Sequence, residues 1–140
     1  MEVKIFKQGN YDGIVEEASA VYKACGFWDR NENTAMILNS TYIGIVYLDG
    51  KPVGIGRVIS DNIRHSLIVD LNIIKSYQGK GCGKALVVAL AKHAKTKHVN
   101  LTTDPNNPTL PEFYKKCGFK LCEDEFVFKW NKSKKSGDRE

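Results

Sequence analysis

The sequence predicts an α/β sandwich, a mixed sheet flanked by helices on one core, in the order βααβββαβαββ. Three observations carry this. Apolar residues alternate between strand-like runs and stretches of helical period. Asp49-Gly50 is a strong two-residue hairpin signal between two such runs. A glycine-rich turn, Gln78-Gly79-Lys80-Gly81-Cys82-Gly83-Lys84, stands between a long apolar run and an apolar helix pattern. Strands mixed with helices in this way bury their apolar faces as layers.

The elements follow in order. Residues 3–6 read as a short strand. Residues 11–25 carry Ile14, Ala18, Val21, Tyr22 and Cys25 at helical spacing, and Gly26 is the stop. Residues 27–31 form a loop, and 33–39 a second, shorter helix. Strands at 42–48 and 52–59 flank the Asp49-Gly50 turn. Asp61-Asn62 turns the chain into a long strand, 66–74. The helix at 83–95 is almost wholly apolar, as a helix buried against a sheet must be. A strand at 99–102, a loop at 104–108 and a helix at 110–116 come next, with Pro111 early in the helix where it costs no hydrogen bond. Gly118 ends that helix, and 119–122 and 125–130 are expected to close the sheet as a hairpin.

Size and composition bound the function. A chain of 140 residues is expected to be one domain over 1–130, with a charged, disordered tail at 131–140. Hydrophobic content of 42% and charged content of 26% fit a globular protein. No apolar run reaches membrane-span length, and the first ten residues have no apolar signal core, so a cytoplasmic location is expected. Cys25, Cys82, Cys117 and Cys122 are scattered, and His65, His93 and His98 add no ligand spacing; free thiols and no metal are expected. The net charge of +5 divides between the tail (Lys132, Lys134, Lys135, Arg139) and lysines near the glycine turn. With no nucleic-acid-reading motif, neither nucleic acid nor membrane is an expected partner.

The glycine turn is suited to a phosphate. Alternate glycines leave several backbone N–H groups free to converge on an anion, and a starting helix adds its unpaired N–H groups and dipole. Lys80 and Lys84 fit the same ligand. Register removes the two better-known cradles. A P-loop ending in Gly83-Lys84 needs glycine at 78, which is Gln, and a hydroxyl at 85, which is Ala. A dinucleotide fingerprint needs glycine at 84 or 86, which are Lys and Leu.

What remains, Gln78-x-x-Gly81-x-Gly83 between a strand and a helix, resembles the acyl-coenzyme A pyrophosphate loop of the GNAT superfamily of N-acetyltransferases. A second segment, Asn107 followed by Phe113-Tyr114-Lys115-Lys116-Cys117-Gly118-Phe119, is similar to that family's C-terminal motif. The resemblance covers roughly residues 42 to 130. It implies a mostly antiparallel sheet, acetyl-CoA as co-substrate and no metal. It also implies that the backbone from Gln78 through Gly79, Lys80, Gly81, Cys82 and Gly83 to Lys84 holds the pyrophosphate. The backbone of Ile73 would pair with the pantetheine arm, and the N–H of Leu71 would face the thioester oxygen. Tyr114 corresponds to the acid that protonates the departing sulfur. Asn107 and Lys116 match positions near the pantetheine and the phosphates.

Each assignment has a plain structural counterpart. Leu71 and Ile73 are also strand core residues, Tyr114 an aromatic anchor, Asn107 a loop residue and Lys116 a solvated cation. The base is less defined. Some members use a Glu at the position that register gives to Leu67, which leaves Asp70, His65 or a water relay, Asp70 being the preferred side chain. Phe27, Trp28 and Asp29, between the first two helices, are candidates for the acceptor pocket, since aromatics beside a carboxylate suit an amine. The expected activity is acetyl transfer to a primary amine, a small molecule in preference to a protein. The alternatives are a protein N-terminal or lysine acetyltransferase and a non-catalytic acyl-CoA-binding module. The sequence does not decide the oligomeric state; a homodimer is one state open to it.

Overall fold

The computed structural model describes residues 1–27 and 30–133. Among them the elements are β1 (Glu2–Lys7), α1 (Ile14–Ala24), α2 (Arg30–Leu38), β2 (Tyr42–Leu48), β3 (Lys51–Ser60), β4 (His65–Ile73), a 3-10 turn (Lys75–Tyr77), α3 (Cys82–His93), β5 (His98–Leu101) and α4 (Thr109–Lys116). The strands form one sheet in the order β1-β2-β3-β4-β5, antiparallel except for the parallel β4–β5 pair. This is the mixed, mostly antiparallel sheet that the sequence predicts.

Local chemistry sets the element ends. In α1, Ile14, Ala18, Val21 and Tyr22 share one buried face. Gly26, at φ +83°, turns the chain off α1. Its N–H bonds the Lys23 carbonyl and that of Phe27 bonds Tyr22, a doubly bonded left-handed stop. Helix α2 begins three residues before the expected start at 33. Asn33 lies inside it, buried, with Nδ2 donating to the Phe27 carbonyl at 2.6 Å. Asp49 and Gly50 both have positive φ, as a tight two-residue hairpin requires, and Leu48 pairs with Lys51.

Two apolar clusters occupy the two sides of the sheet. Tyr11, Ile14, Val21 and Tyr22 pack with Ile37, Ile43, Ile45 and Ile55. On the other side Leu86, Val87 and Leu90 of α3 pack with Val46, Val53, Val58 and Ile68, with Tyr114 and Phe119 at the margin. Helix α3 approaches the sheet closely because Gly44 and Gly56 pair beneath it. A Cβ on Gly44 would lie 2.9 Å from Leu86 Cδ1, and one on Gly56 2.7 Å from Leu90 Cδ1.

One irregularity matters for function. Ile55 pairs with Asn72 but Arg57 with Val69, so Asp70 and Leu71 together face Gly56. Asp70 takes φ +52° at this bulge. A bulge bends its strand, and beyond it β4 has no partner on its outer side among the described residues. The β5 ladder ends at Ile68–Leu101, which leaves Val69 to Ile73 with a free edge.

The expected closing hairpin does not form among the described residues. Residues 119–130 pair with no described strand, and Phe126, Val127, Phe128 and Trp130 are 80–89% exposed. Gly118 (φ +102°) ends α4, with Phe119 N–H bonding the Tyr114 carbonyl. The chain then bends at Glu123-Asp124. Of the expected charged tail, Lys134, Lys135 and Arg139 lie outside the described residues.

Candidate active site

The glycine turn presents donors. Gln78 ends the 3-10 turn in an extended conformation, and its Nε2 donates to the Ile73 carbonyl at 3.0 Å, tying the turn to the end of β4. Gly79 and Gly81 take φ +78° and +85°, values that a side chain would strain. Gly81 caps α3 without a side chain, and the first helical bond is from Ala85 N–H to the Gly81 carbonyl. The N–H groups of Cys82, Gly83 and Lys84 therefore lack helical acceptors. Lys80 and Lys84 are exposed beside them. The Cys82 side chain is buried in the core, so only its main chain faces the turn.

The free edge of β4 runs into this turn. Ile74 N–H bonds the Val53 carbonyl at 2.9 Å. Alternation along an antiparallel ladder then turns the N–H group of Ile73 away from β3, toward the free edge. Because Gln78 holds the Ile73 carbonyl, the N–H is the group of that residue left to a ligand.

Helix α4 closes the other side. A Cβ on Gly83 would stand 3.3 Å from Phe113 Cζ and 3.6 Å from Ile73 Cγ1, so α4, the start of α3 and the end of β4 meet at one point. Tyr114 lies half-buried, edge-on to Phe113 and Phe119 with ring centroids 5.0 and 5.9 Å away. Burial, with a smaller effect from Cys117, raises its pKa above the ordinary value of 10. Burial also raises the Cys117 thiol, and the nearby Lys84 charge opposes that shift. Asn107 organises the start of α4, where its Oδ1 accepts from Thr109 Oγ1 at 2.7 Å and from Thr109 N–H at 3.2 Å. Lys116 is exposed at the end of that helix.

On the opposite side of the bulge, Asp70 is held by Arg57. Nε and Nη2 of Arg57 reach Oδ2 at 3.0 and 2.5 Å, while Nη1 bonds Ser40 Oγ at 3.1 Å and the Met36 carbonyl at 3.4 Å. Arg57 is buried and the Asp70 side chain is 40% exposed. The Tyr22 hydroxyl is buried nearby with no hydrogen-bond partner among the described residues. Burial pushes its pKa up to about 12, against the opposing charge of Arg57. This network joins α2, β3 and β4. Its signal in the sequence is two opposite charges, Arg57 and Asp70, each inside an apolar strand.

The remaining candidates separate from this centre. His65 opens β4, five residues before Asp70 and so roughly 16 Å away at a strand's rise. It stacks on His98 with centroids 5.2 Å apart. Leu67 is partly exposed, beside Ile59 and Asn100 in neighbouring strands. Phe27 is 62% exposed; Trp28 and Asp29 lie outside the described residues. There is no cluster of metal-ligating side chains among the described residues, and no helix among them is long and apolar enough to cross a membrane.

Comparison with known proteins bears on the family and the fold. The sequence profile of the acetyltransferase (GNAT) family matches residues 8–119. A curated relative, an uncharacterized N-acetyltransferase ycf52 of Pyropia yezoensis, is 34% identical over 71 residues, covering 51% of this chain and 41% of the relative. The chain thus spans about two fifths of the length of that relative. Among solved structures, the GNAT family acetyltransferase SP0256 of Streptococcus pneumoniae superposes with a TM-score of 0.78 at 22% identity, over 95% of this chain and 98% of its own. The aminoglycoside N-acetyltransferase AAC(6')-Iy in complex with CoA gives 0.68 at 14% identity, over 93% and 99%. These structural likenesses show a shared fold.

Proposed function

The chain belongs to the acetyltransferase (GNAT) family, and from that premise we propose that it transfers an acetyl group from acetyl-CoA to the primary amine of a small molecule. One observation carries the reading. The free edge of β4 at Val69 to Ile73 leads directly into a turn whose N–H groups lack acceptors, with Tyr114 on the helix that closes the same corner. A long ligand with a hydrogen-bonding chain and a phosphate end suits such a path. The chemistry of the donor set fits coenzyme A: Ile73 N–H for an amide of the arm, the main chain from Gln78 to Lys84 for the pyrophosphate, and Lys80, Lys84 and Lys116 for the remaining charge.

The reaction is attack of a neutral amine on a thioester, with formation of a C–N bond, cleavage of the C–S bond and delivery of a proton to sulfur. Leu71 N–H is assigned to the thioester oxygen, where one well-placed donor contributes roughly 2.7–4 kcal/mol in a studied oxyanion hole. Tyr114 holds the proton for sulfur; its raised pKa keeps the phenol protonated at neutral pH. The amine loses its proton to water, with Asp70 as positioning carboxylate at the bulge. Its Oδ2 is engaged by Arg57, which makes a relay through water a better assignment than direct abstraction. Phe27, with Trp28 and Asp29, is assigned to the acceptor side.

The preference for a small amine draws support from the aminoglycoside acetyltransferases among the structural neighbours. The test is thiol release from acetyl-CoA across small amines, peptides and ribosomal proteins, alongside calorimetry with coenzyme A. Turnover on small amines supports the reading; turnover confined to peptides replaces the acceptor, and absence of coenzyme A binding removes it altogether.

A further inference from the structure

We propose that Arg57 is a positioning residue for acetyl transfer: its guanidinium holds Asp70 in the left-handed conformation that makes the β4 bulge, and the bulge sets where Leu71 and Ile73 stand along the strand. The inference rests on the acetyl-CoA reading above, in which the N–H groups of those two residues serve the thioester and the pantetheine arm.

Register shows what the bulge decides. Between the Ile55–Asn72 pair and the Arg57–Val69 pair, β3 advances two residues and β4 three. Main-chain groups alternate along a strand, so one extra residue reverses the direction of every group after it. At present the Val53 carbonyl takes the N–H of Ile74, which leaves that of Ile73 for the free edge. In a straight strand that kept the Arg57–Val69 pair, Ile73 would stand opposite Val53 and give its N–H to the ladder. The contact assigned to the pantetheine arm would then be gone.

The extra residue needs a hold. Asp70 takes φ +52°, a region that residues other than Gly, Asn and Asp avoid. Such a conformation persists where its surroundings fix it, and it concentrates at functional sites. Arg57 supplies the hold from beside the bulge: Nε and Nη2 both donate to Asp70 Oδ2, at 3.0 and 2.5 Å. Asn72 Nδ2 adds a bond to the Asp70 carbonyl at 3.2 Å. The guanidinium is itself anchored. Nη1 donates to Ser40 Oγ at 3.1 Å and to the Met36 carbonyl at 3.4 Å. Ser40 is fixed in turn, with Oγ donating to the Met36 carbonyl at 2.7 Å and its own carbonyl accepting from the Tyr11 hydroxyl at 2.8 Å. A planar fork fixed at one end directs a carboxylate as a flexible lysine does not. Stability alone is a poor reason for a buried arginine here, since apolar side chains of similar volume often serve a core as well.

The test uses the full chain, with circular dichroism and urea melts to confirm folding. Arg57→Met is expected to lower kcat about 100-fold, the scale of a small misplacement of reacting groups, and to weaken coenzyme A binding about fivefold by calorimetry. Arg57→Lys should restore little of either. Asp70→Gly separates positioning from bulk stability, because glycine adopts a positive φ without being held. In that background Arg57→Met should change coenzyme A affinity less than about twofold, a readout independent of any part Asp70 plays in proton transfer. The strong NOE between Hα and the amide proton of residue 70, the mark of positive φ, should be present in wild type and lost in Arg57→Met. Equal losses of affinity in both backgrounds, unchanged kcat in Arg57→Met, or a residue 70 that keeps its NOE there would each overturn the proposal. If Arg57→Met fails to fold, Arg57→Lys takes its place in both backgrounds. Failure of wild type to bind coenzyme A would instead remove the reading on which the proposal rests.

Discussion

Gly83 and Phe113, from two separate sequence motifs, touch across the start of α3: a Cβ on Gly83 would lie 3.3 Å from Phe113 Cζ. The contact couples the turn that offers phosphate donors to the helix that carries Tyr114. Gly83→Val is therefore expected to push α4 away, at a cost of about 1–3 kcal/mol typical of overpacking. Acetyl transfer should fall at least tenfold, while Gly83→Ala, needing only a few tenths of an ångström from Phe113, should stay within a few-fold. Steady-state kinetics with denaturant melts on both variants check this.

Tyr114→Phe keeps the ring contacts with Phe113 and Phe119 and removes only the proton donor. We expect kcat to fall roughly 100-fold or more, the range of a positioned acid, with coenzyme A affinity unchanged by calorimetry. Because burial raises the phenol's pKa, the wild-type rate should hold up to and beyond pH 10 before Tyr114 loses its proton. A variant with undiminished turnover returns Tyr114 to a purely structural anchor.

Asp70→Asn tests the bulge. The substitution leaves the buried Arg57 guanidinium short of its anionic partner, which should cost about 1–3 kcal/mol, toward the lower end because the Asp70 side chain is partly exposed. If Asp70 positions the amine or its water, kcat/KM drops by more than the stability loss explains. A rate loss that vanishes at low temperature, where the fold is intact, would assign Asp70 to architecture alone.

Alkaline stability should be limited by tyrosines. Burial pushes Tyr11 and Tyr22 up to about 12 each, above their unfolded value near 10. Groups whose folded pKa is raised stabilise the fold fully below the unfolded pKa and lose that contribution as pH rises through the folded one. Urea midpoints are thus expected to be flat up to pH 9 and to decline from pH 10 to 12, with phenolate absorbance lagging that of the unfolded chain. Tyr22→Phe removes a buried hydroxyl without a partner among the described residues, so its stability should be equal to or greater than that of wild type. A loss above about 1 kcal/mol would show that the hydroxyl is bonded to Arg57.

Local signals locate most of the fold. The Asp49-Gly50 hairpin, the α1 stop at Gly26 and the helix following Gly83 are legible because each depends on backbone conformation over a few neighbouring residues. The start of α2 is not: Asn33, the expected first residue, lies inside the helix and bonds back to Phe27. The period at Phe126, Phe128 and Trp130 is that of a strand, but a strand needs a partner, and these residues pair with none among the described residues. His65 and Asp70 share a strand in sequence, but strand rise and the bulge set them apart as candidates.

By itself, the sequence determined the glycine turn, the class of anion that suits it and the family to which Gln78 and Phe113-Tyr114 point. These follow from glycine stereochemistry and helix ends, which act over a few residues. The tertiary structure alone decided that Asp70 and Leu71 bulge opposite Gly56, that Arg57 claims Asp70, that β4 parts from β5, and that Gly83 meets Phe113. Such relations depend on strand register and layer packing, where one extra residue redirects every side chain after it, and no local pattern carries that information.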